Sequence, residues 1–278
     1  MRPIIITNTI YKVLESRFID EFRDAFWKLK GTAKSQFGFM RGMSCSAQLT
    51  RMYSRILRIW NRNSKEEYEL KPPHERIPHI SSTFGLFIDI EQAYNSVNLW
   101  LLYNKMSEEI DRKILNINLQ HLQFVFYMIR RLNIRIGKQK FQPKHGVPQG
   151  GILSPILFNF SMHYMLEEWL LIVNSLLLTE GYPTISSDDL GLWADDMLVV
   201  FDLPDSNSIT RNYLRIITKT LRITALKWGL RINWKKSGLI KFFKNLKSKT
   251  YAMKISDHPS KVPEWTNNST QIVLDMGP

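Results

Sequence analysis

The chain has 278 residues, 44% of them hydrophobic, enough for a sizeable core in one or two domains. Lys and Arg outnumber Asp and Glu by 38 to 25, and the resulting charge of +13 suits a polyanionic partner. A single cysteine, Cys45, excludes an intramolecular disulfide framework and a Cys-rich zinc site, and no apolar run reaches the ~18 residues of a membrane span.

The apolar run at Ile4, Ile5 and Ile6 stops at Thr7, Asn8 and Thr9, unlike a signal peptide, so an intracellular protein is expected. Helical periodicity runs from Ile10 to Leu29. A loop through Gly31, Gly38 and Gly42 separates it from a basic helix over Ala47 to Asn61. The charged stretch from Asn63 to Pro78 reads as a surface loop before a strand that starts near Phe84 and ends at Asp89, whose Phe, Leu and Ile suggest burial on both faces. Ser96 or Asn98 can cap a helix through Met106, and Asp111 to Arg131 carries Ile114, Leu115, Leu119, Leu122, Val125, Phe126 and Ile129 at helical spacing. Asn133 to Phe141 reads as a short hairpin around Gly137-Lys138, and Pro148-Gln149-Gly150-Gly151 as a turn into a helix near Ser154-Pro155. Trp169 to Leu178 reads as a core helix. Asp205 to Trp228 is amphipathic, and Leu230 to Asn233 leads to a strand at Leu239 to Phe243. Leu246 to Pro278 loses periodicity. Strands flanked by helices predict an α+β sheet backed by helices.

Within this frame Leu192-Trp193-Ala194-Asp195-Asp196-Met197-Leu198 places two adjacent carboxylates at the turn of an apolar hairpin. Like charges about 4 Å apart repel by ~1 kcal/mol in water and ~4 kcal/mol at a protein-surface dielectric, so a cation is the natural partner. A second pair, Asp188-Asp189, lies in a polar segment and reads as a solvated turn. Asp89 ends the Phe84 to Ile88 run. Three carboxylates from two strands can hold two Mg²⁺ ions about 3.5–4 Å apart, the arrangement of nucleotidyl transfer.

These pieces, in order, resemble the reverse transcriptases of non-LTR retrotransposons and group II introns. Arg2-Pro3-Ile4 with Asn8 to Lys12, and Gln36-Phe37-Gly38-Phe39, resemble the two fingers motifs. Phe87-Ile88-Asp89 with Ala93 to Val97, Gly146 to Pro155 with Leu157-Phe158-Asn159, Ala194-Asp195-Asp196, and Gly229 to Ser237 resemble the palm motifs in family order. The resemblance implies an α+β right-hand polymerase with fingers at 1–80 and a palm at 81–245, its antiparallel sheet backed by helices. A finger-side insertion would occupy about 107–144, and 246–278 would lead toward a missing thumb. It implies RNA-directed DNA synthesis with RNA template, DNA primer and deoxynucleoside triphosphates as partners and no membrane, in the nucleus for a eukaryotic element. Two Mg²⁺ ions, or Mn²⁺, would be held by Asp89, Asp195, Asp196 and the Ile90 carbonyl.

By the same resemblance Tyr94 excludes a ribose 2′ hydroxyl, Gln149 and Gly150 lie against template and incoming base, and Lys236 is a proton donor to the pyrophosphate. Arg2, Lys12 and Arg41 would reach triphosphate or template. Tyr94 and Ala194 argue against an RNA-dependent RNA polymerase. Trp193 replaces the usual Tyr or Phe, and Met40 and Met43 stand where basic residues are usual, leaving Arg41 displaced by one position. Two alternatives stay open: a catalytically weak or silent RNA-binding remnant, and a maturase-type enzyme of a group II intron.

Overall fold

A computed structural model of the chain describes residues 9–62, 81–136, 138–142, 145–204, 206–242, 252–254 and 265–266. The N-terminal helices are α1 (Thr9–Lys28) and α2 (Cys45–Arg62), with a 3-10 turn at Gly31–Ser35 between them. Strand β1 (Ser81–Ile88) follows, then β2 (Ile90–Glu91) and the helices α3 (Ala93–Ser96), α4 (Leu99–Asp111) and α5 (Leu119–Arg130). A hairpin of β3 (Ile134–Ile136) and β4 (Gln139–Phe141) precedes the long α6 (Ser154–Thr179). The remaining elements are β5 (Leu190–Trp193), β6 (Asp196–Pro204), α7 (Asn207–Lys227), β7 (Arg231–Ile232), β8 (Gly238–Phe242), β9 (Ala252–Lys254) and β10 (Trp265–Thr266).

Six strands form one antiparallel sheet in the order β10-β9-β8-β1-β6-β5, so β1 is central and β5 is an edge. Strand alternation sorts its faces. Phe84, Leu86 and Ile88 of β1 and Met197, Val199, Phe201 and Leu203 of β6 point to one side, into a core shared with α6 and α7. Their neighbours Leu198 and Val200 point to the other side, where Met52, Ile56 and Ile59 of α2 and Phe242 of β8 pack among the described residues. The architecture is the expected α+β sheet backed by helices.

Several local expectations are corrected. The strand ending at Ile88 is not buried on both faces, since Phe87 is 39% exposed on the side opposite the main core. Asp111 to Arg131 is not one helix. α4 ends at Asp111, Lys113 takes φ +58°, and Asn118 restarts the chain by accepting the Gln120 amide at the head of α5. Trp169, Val173 and Leu177 of α6 face inward, whereas Leu171 and Leu178 are 76% and 68% exposed, so that segment is one-sided rather than wholly core. β9 and β10 fall in the stretch read as aperiodic and extend the sheet. No helix among the described residues is long and apolar enough to cross a membrane.

Candidate functional site

The β1–β6 pairing runs antiparallel with Ile88 opposite Met197, so the next residue on each strand brings Asp89 opposite Asp196. Alternation puts both on the side of the sheet shared by Phe87 and Leu198, away from the main core. Asp195 lies next to Asp196 in the two-residue turn that joins Trp193 to Asp196, on the β5 side of β6. The segment after β7 pins Asp89 from behind: its carbonyl accepts the Asn233 amide at 2.8 Å and its amide donates to Ser237 Oγ at 3.2 Å. Lys236 is exposed in that same turn, and Ile90 is buried in the β2–β7 pair.

The turn bearing Asp195 is held by Gln36. The Gln36 side-chain oxygen accepts the Ala194 amide at 3.0 Å and the Gly38 amide at 2.8 Å, while its NH₂ donates to the Ala194 carbonyl at 3.2 Å. Ala194 needs this support because its φ of +58° is a left-handed conformation that an alanine seldom adopts. Gly38 lies so close that a Cβ would sit 2.2 Å from the Ala194 nitrogen. Further along the β5 edge, the Phe37 amide and Gln48 donate to the Leu192 carbonyl at 3.0 and 3.5 Å, and Arg51 donates to the Leu190 carbonyl at 2.6 Å. Carbonyls 190, 192 and 194 are thus capped in sequence by the N-terminal segment, which protects the edge and fixes the turn.

Tyr94 stands beside this turn. Its ring stacks on Phe158 at 5.2 Å and meets Phe39 edge-on at 6.3 Å. Burial, and then the charge of Asp195, push its hydroxyl well above the usual tyrosine range. The Tyr94 carbonyl accepts the Val147 amide at 2.7 Å, which links it to the turn carrying half-buried Gln149 and exposed Gly150. Buried Glu15 of α1 holds the far side of that turn, accepting the Ile152 and Leu153 amides at 2.9 and 3.4 Å. Burial raises the Glu15 pKa, opposed by those amides and by nearby Lys12, which is exposed. Arg41 is exposed on the loop after Phe39, and Met40 is buried in the main core, which accounts for an apolar residue there. Arg2 lies outside the described residues.

The structure therefore gathers Asp89, Asp195, Asp196, Tyr94 and the Gln149-Gly150 turn around one end of the sheet. It does not assemble the expected metal cage: among the described residues no three His, Cys, Asp or Glu side chains converge to hold an ion. Asp89 and Asp196 follow the Ile88–Met197 pair on neighbouring strands, but Asp195 belongs to a turn clamped by Gln36. The donor chemistry suits Mg²⁺ while this arrangement of it does not enclose one.

The sequence placed Gln36 in a fingers motif without showing its clamping role, and Glu15 and the Asp189–Arg55 pair were not legible in it. Asp189 is buried rather than solvated: it accepts Arg55 Nε at 2.7 Å and the Ser186 hydroxyl at 2.7 Å, anchoring α2 to the sheet. A signal was present for Gln36, since a glycine two residues on and flanked by aromatics marks a close backbone approach.

A family model described as reverse transcriptase (RNA-dependent DNA polymerase) matches residues 1–260. A probable RNA-directed DNA polymerase from transposon BS of Drosophila melanogaster is 23% identical over 239 residues, which cover 85% of this chain and 23% of that protein. The chain thus spans about a quarter of that relative's length. Apo telomerase from Candida tropicalis, truncated from its C-terminal domain, superposes with a TM-score of 0.53 at 14% identity over 88% of this chain and 44% of that one. Candida tropicalis telomerase in complex with a fragment of telomeric RNA gives 0.52 at 14% identity over 85% and 34%. At that identity the two structures speak for the fold. With the family model matching nearly its whole length, the chain belongs to the reverse transcriptase (RNA-dependent DNA polymerase) family.

Proposed function

We propose that this chain is the template- and primer-binding body of a mobile-element reverse transcriptase, and that by itself it is a weak or silent catalyst of DNA synthesis. The observation that carries this reading is the β1–β6 register, whose last pair, Ile88 with Met197, puts Asp89 and Asp196 next at the end of the sheet, near Tyr94 and Asp195, without three carboxylates converging among the described residues. The partly open face beyond Phe87 and Leu198 would receive the template–primer duplex. Tyr94, wedged between Phe158 and Phe39, has little freedom to swing aside, which suits a wall against a ribose 2′ hydroxyl. Gln149 and Gly150 would lie under the incoming base, Lys236 near the pyrophosphate, and Lys12 and Arg41 along the phosphates. The transposon relative favours a retrotransposon origin over an intron maturase.

Metal ions, when bound, would supply the charge neutralisation that phosphate transfer needs. This chain's own contribution is to pair the carboxylates, hold the turn and exclude the ribonucleotide. The test is binding and extension of a DNA primer on an RNA template with Mg²⁺ or Mn²⁺. Tight binding with extension near background is expected. Vigorous extension that vanishes in Asp195→Ala would overturn the silent reading, and failure to bind the primed template would overturn the whole.

A further inference from the structure

α7 carries a feature that the site does not use. Its 21 residues, NSITRNYLRIITKTLRITALK, contain no Asp or Glu. Thr210, Tyr213, Leu214, Ile217, Leu221 and Ala225 are buried, while Arg211, Arg215, Lys219 and Arg222 are exposed. At 3.6 residues per turn these four cations fall within an arc of roughly 80°, centred opposite the buried stripe, and span about 16 Å along the axis. Like charges one turn apart destabilise a helix by a few tenths of a kcal/mol per pair, and no acid on this helix relieves them.

The arginines of α2 provide a contrast within the same molecule. Arg51 and Arg55 turn inward to Asp188 and Asp189. Among the described residues, none of the four α7 cations makes an ion pair or a side-chain hydrogen bond. Lys227, at the end of the helix, is the exception on α7, paired with Glu168 at 2.6 Å.

Sidedness separates this stripe from the carboxylate site. α7 packs against the face of β6 that bears Phe201, whose ring lies 4.9 Å from that of Tyr213. Asp196, Leu198 and Val200 occupy the opposite face, toward α2. A nucleic acid lying along the Asp89–Asp196 end therefore has the sheet between it and the cations of α7.

We propose that the outer face of α7 is a second nucleic-acid surface, which grips the phosphodiester backbone of a structured RNA segment outside the strand being copied. Four evenly spaced cations, three of them guanidinium groups able to bind phosphate in bidentate fashion, match a row of phosphates and carry no base-reading geometry. The choice of RNA over DNA rests on the reverse-transcriptase reading; the polyanion surface itself does not.

The test uses the full chain and an unprimed RNA hairpin, with affinity measured by fluorescence anisotropy between about 50 and 200 mM salt. Replacing all four residues by Gln should weaken binding about tenfold or more and flatten the slope of log K against log salt by about 3. Replacing the three arginines by Lys should keep most of the slope. Excess primed template should leave the hairpin bound, and Asp195→Ala should bind the hairpin like the parent chain. An unchanged slope in the Gln variant with its thermal melt intact would overturn the proposal, as would full displacement by primed template. An equal loss on a DNA duplex of the same length would overturn the assignment to RNA. Hairpin binding through α7 without any primed-template binding would sink the proposed function and leave this surface standing.

Discussion

Gln36→Leu is the perturbation that most directly tests how the Asp195 turn is held. Gln36 is 3% exposed and serves three backbone groups: the amides of Ala194 and Gly38 and the carbonyl of Ala194. Leucine offers none of these partners, and the space admits no backbone shift, since Gly38 already lies against Ala194. An unsatisfied buried polar group costs about 1–3 kcal/mol, so three that relax together should lower stability by about 3–5 kcal/mol. The Ala194 conformation, at φ +58°, loses its support at the same time. With a urea m-value of ~3 kcal/mol/M, the unfolding midpoint should fall by about 1 M or more. Gln36→Met, which is closer in volume, should fall equally, because the loss is of hydrogen bonds rather than packing. Hydrogen exchange at the Ala194 amide should accelerate in both. A midpoint shift under about 0.3 M, or an Ala194 amide still protected, would refute the clamp.

Three further outcomes are expected. His163 is buried against Thr32, with Glu167 and Lys105 nearby, and burial pushes its pKa down to about 4. Its folded pKa lies below its unfolded one, so on acidification from about pH 6.5 to 4 the unfolded chain alone takes up a proton and up to about 3 kcal/mol of stability is lost; equilibrium unfolding across that window should show the slope, and His163→Gln should reduce it. Arg55→Ala leaves the Asp189 carboxylate buried with Ser186 as its hydrogen-bond partner among the described residues and Arg51 as the nearby charge, and chemical denaturation should show a loss of about 3 kcal/mol, whereas Asp188→Ala, whose side chain is 73% exposed, should change stability by less than about 0.5 kcal/mol. Gly146→Ala forces a Cβ to 2.5 Å from the Asn95 backbone at φ +81°, so thermal unfolding should reveal a cost of about 3 kcal/mol or more, and a neutral result would mean that this contact yields.

What the sequence settled by itself was local and periodic. The apolar spacing of α1, α2 and α7, the hairpin at Asp195 and the turn before α6 follow from propensity and pattern, because each depends on residues only a few positions apart. The order of motifs pointed to the family for a similar reason: short segments can be compared one by one. Only the tertiary structure decided which faces of those elements meet. Asp189 looks as solvated as its exposed neighbour Asp188 until α2 folds over it with Arg55, and Gln36 gains its meaning from a carbonyl 158 residues away. Whether three carboxylates close around an ion depends on side-chain directions within a clamped two-residue turn, and strand patterning determines which residues share a face without determining how closely they converge.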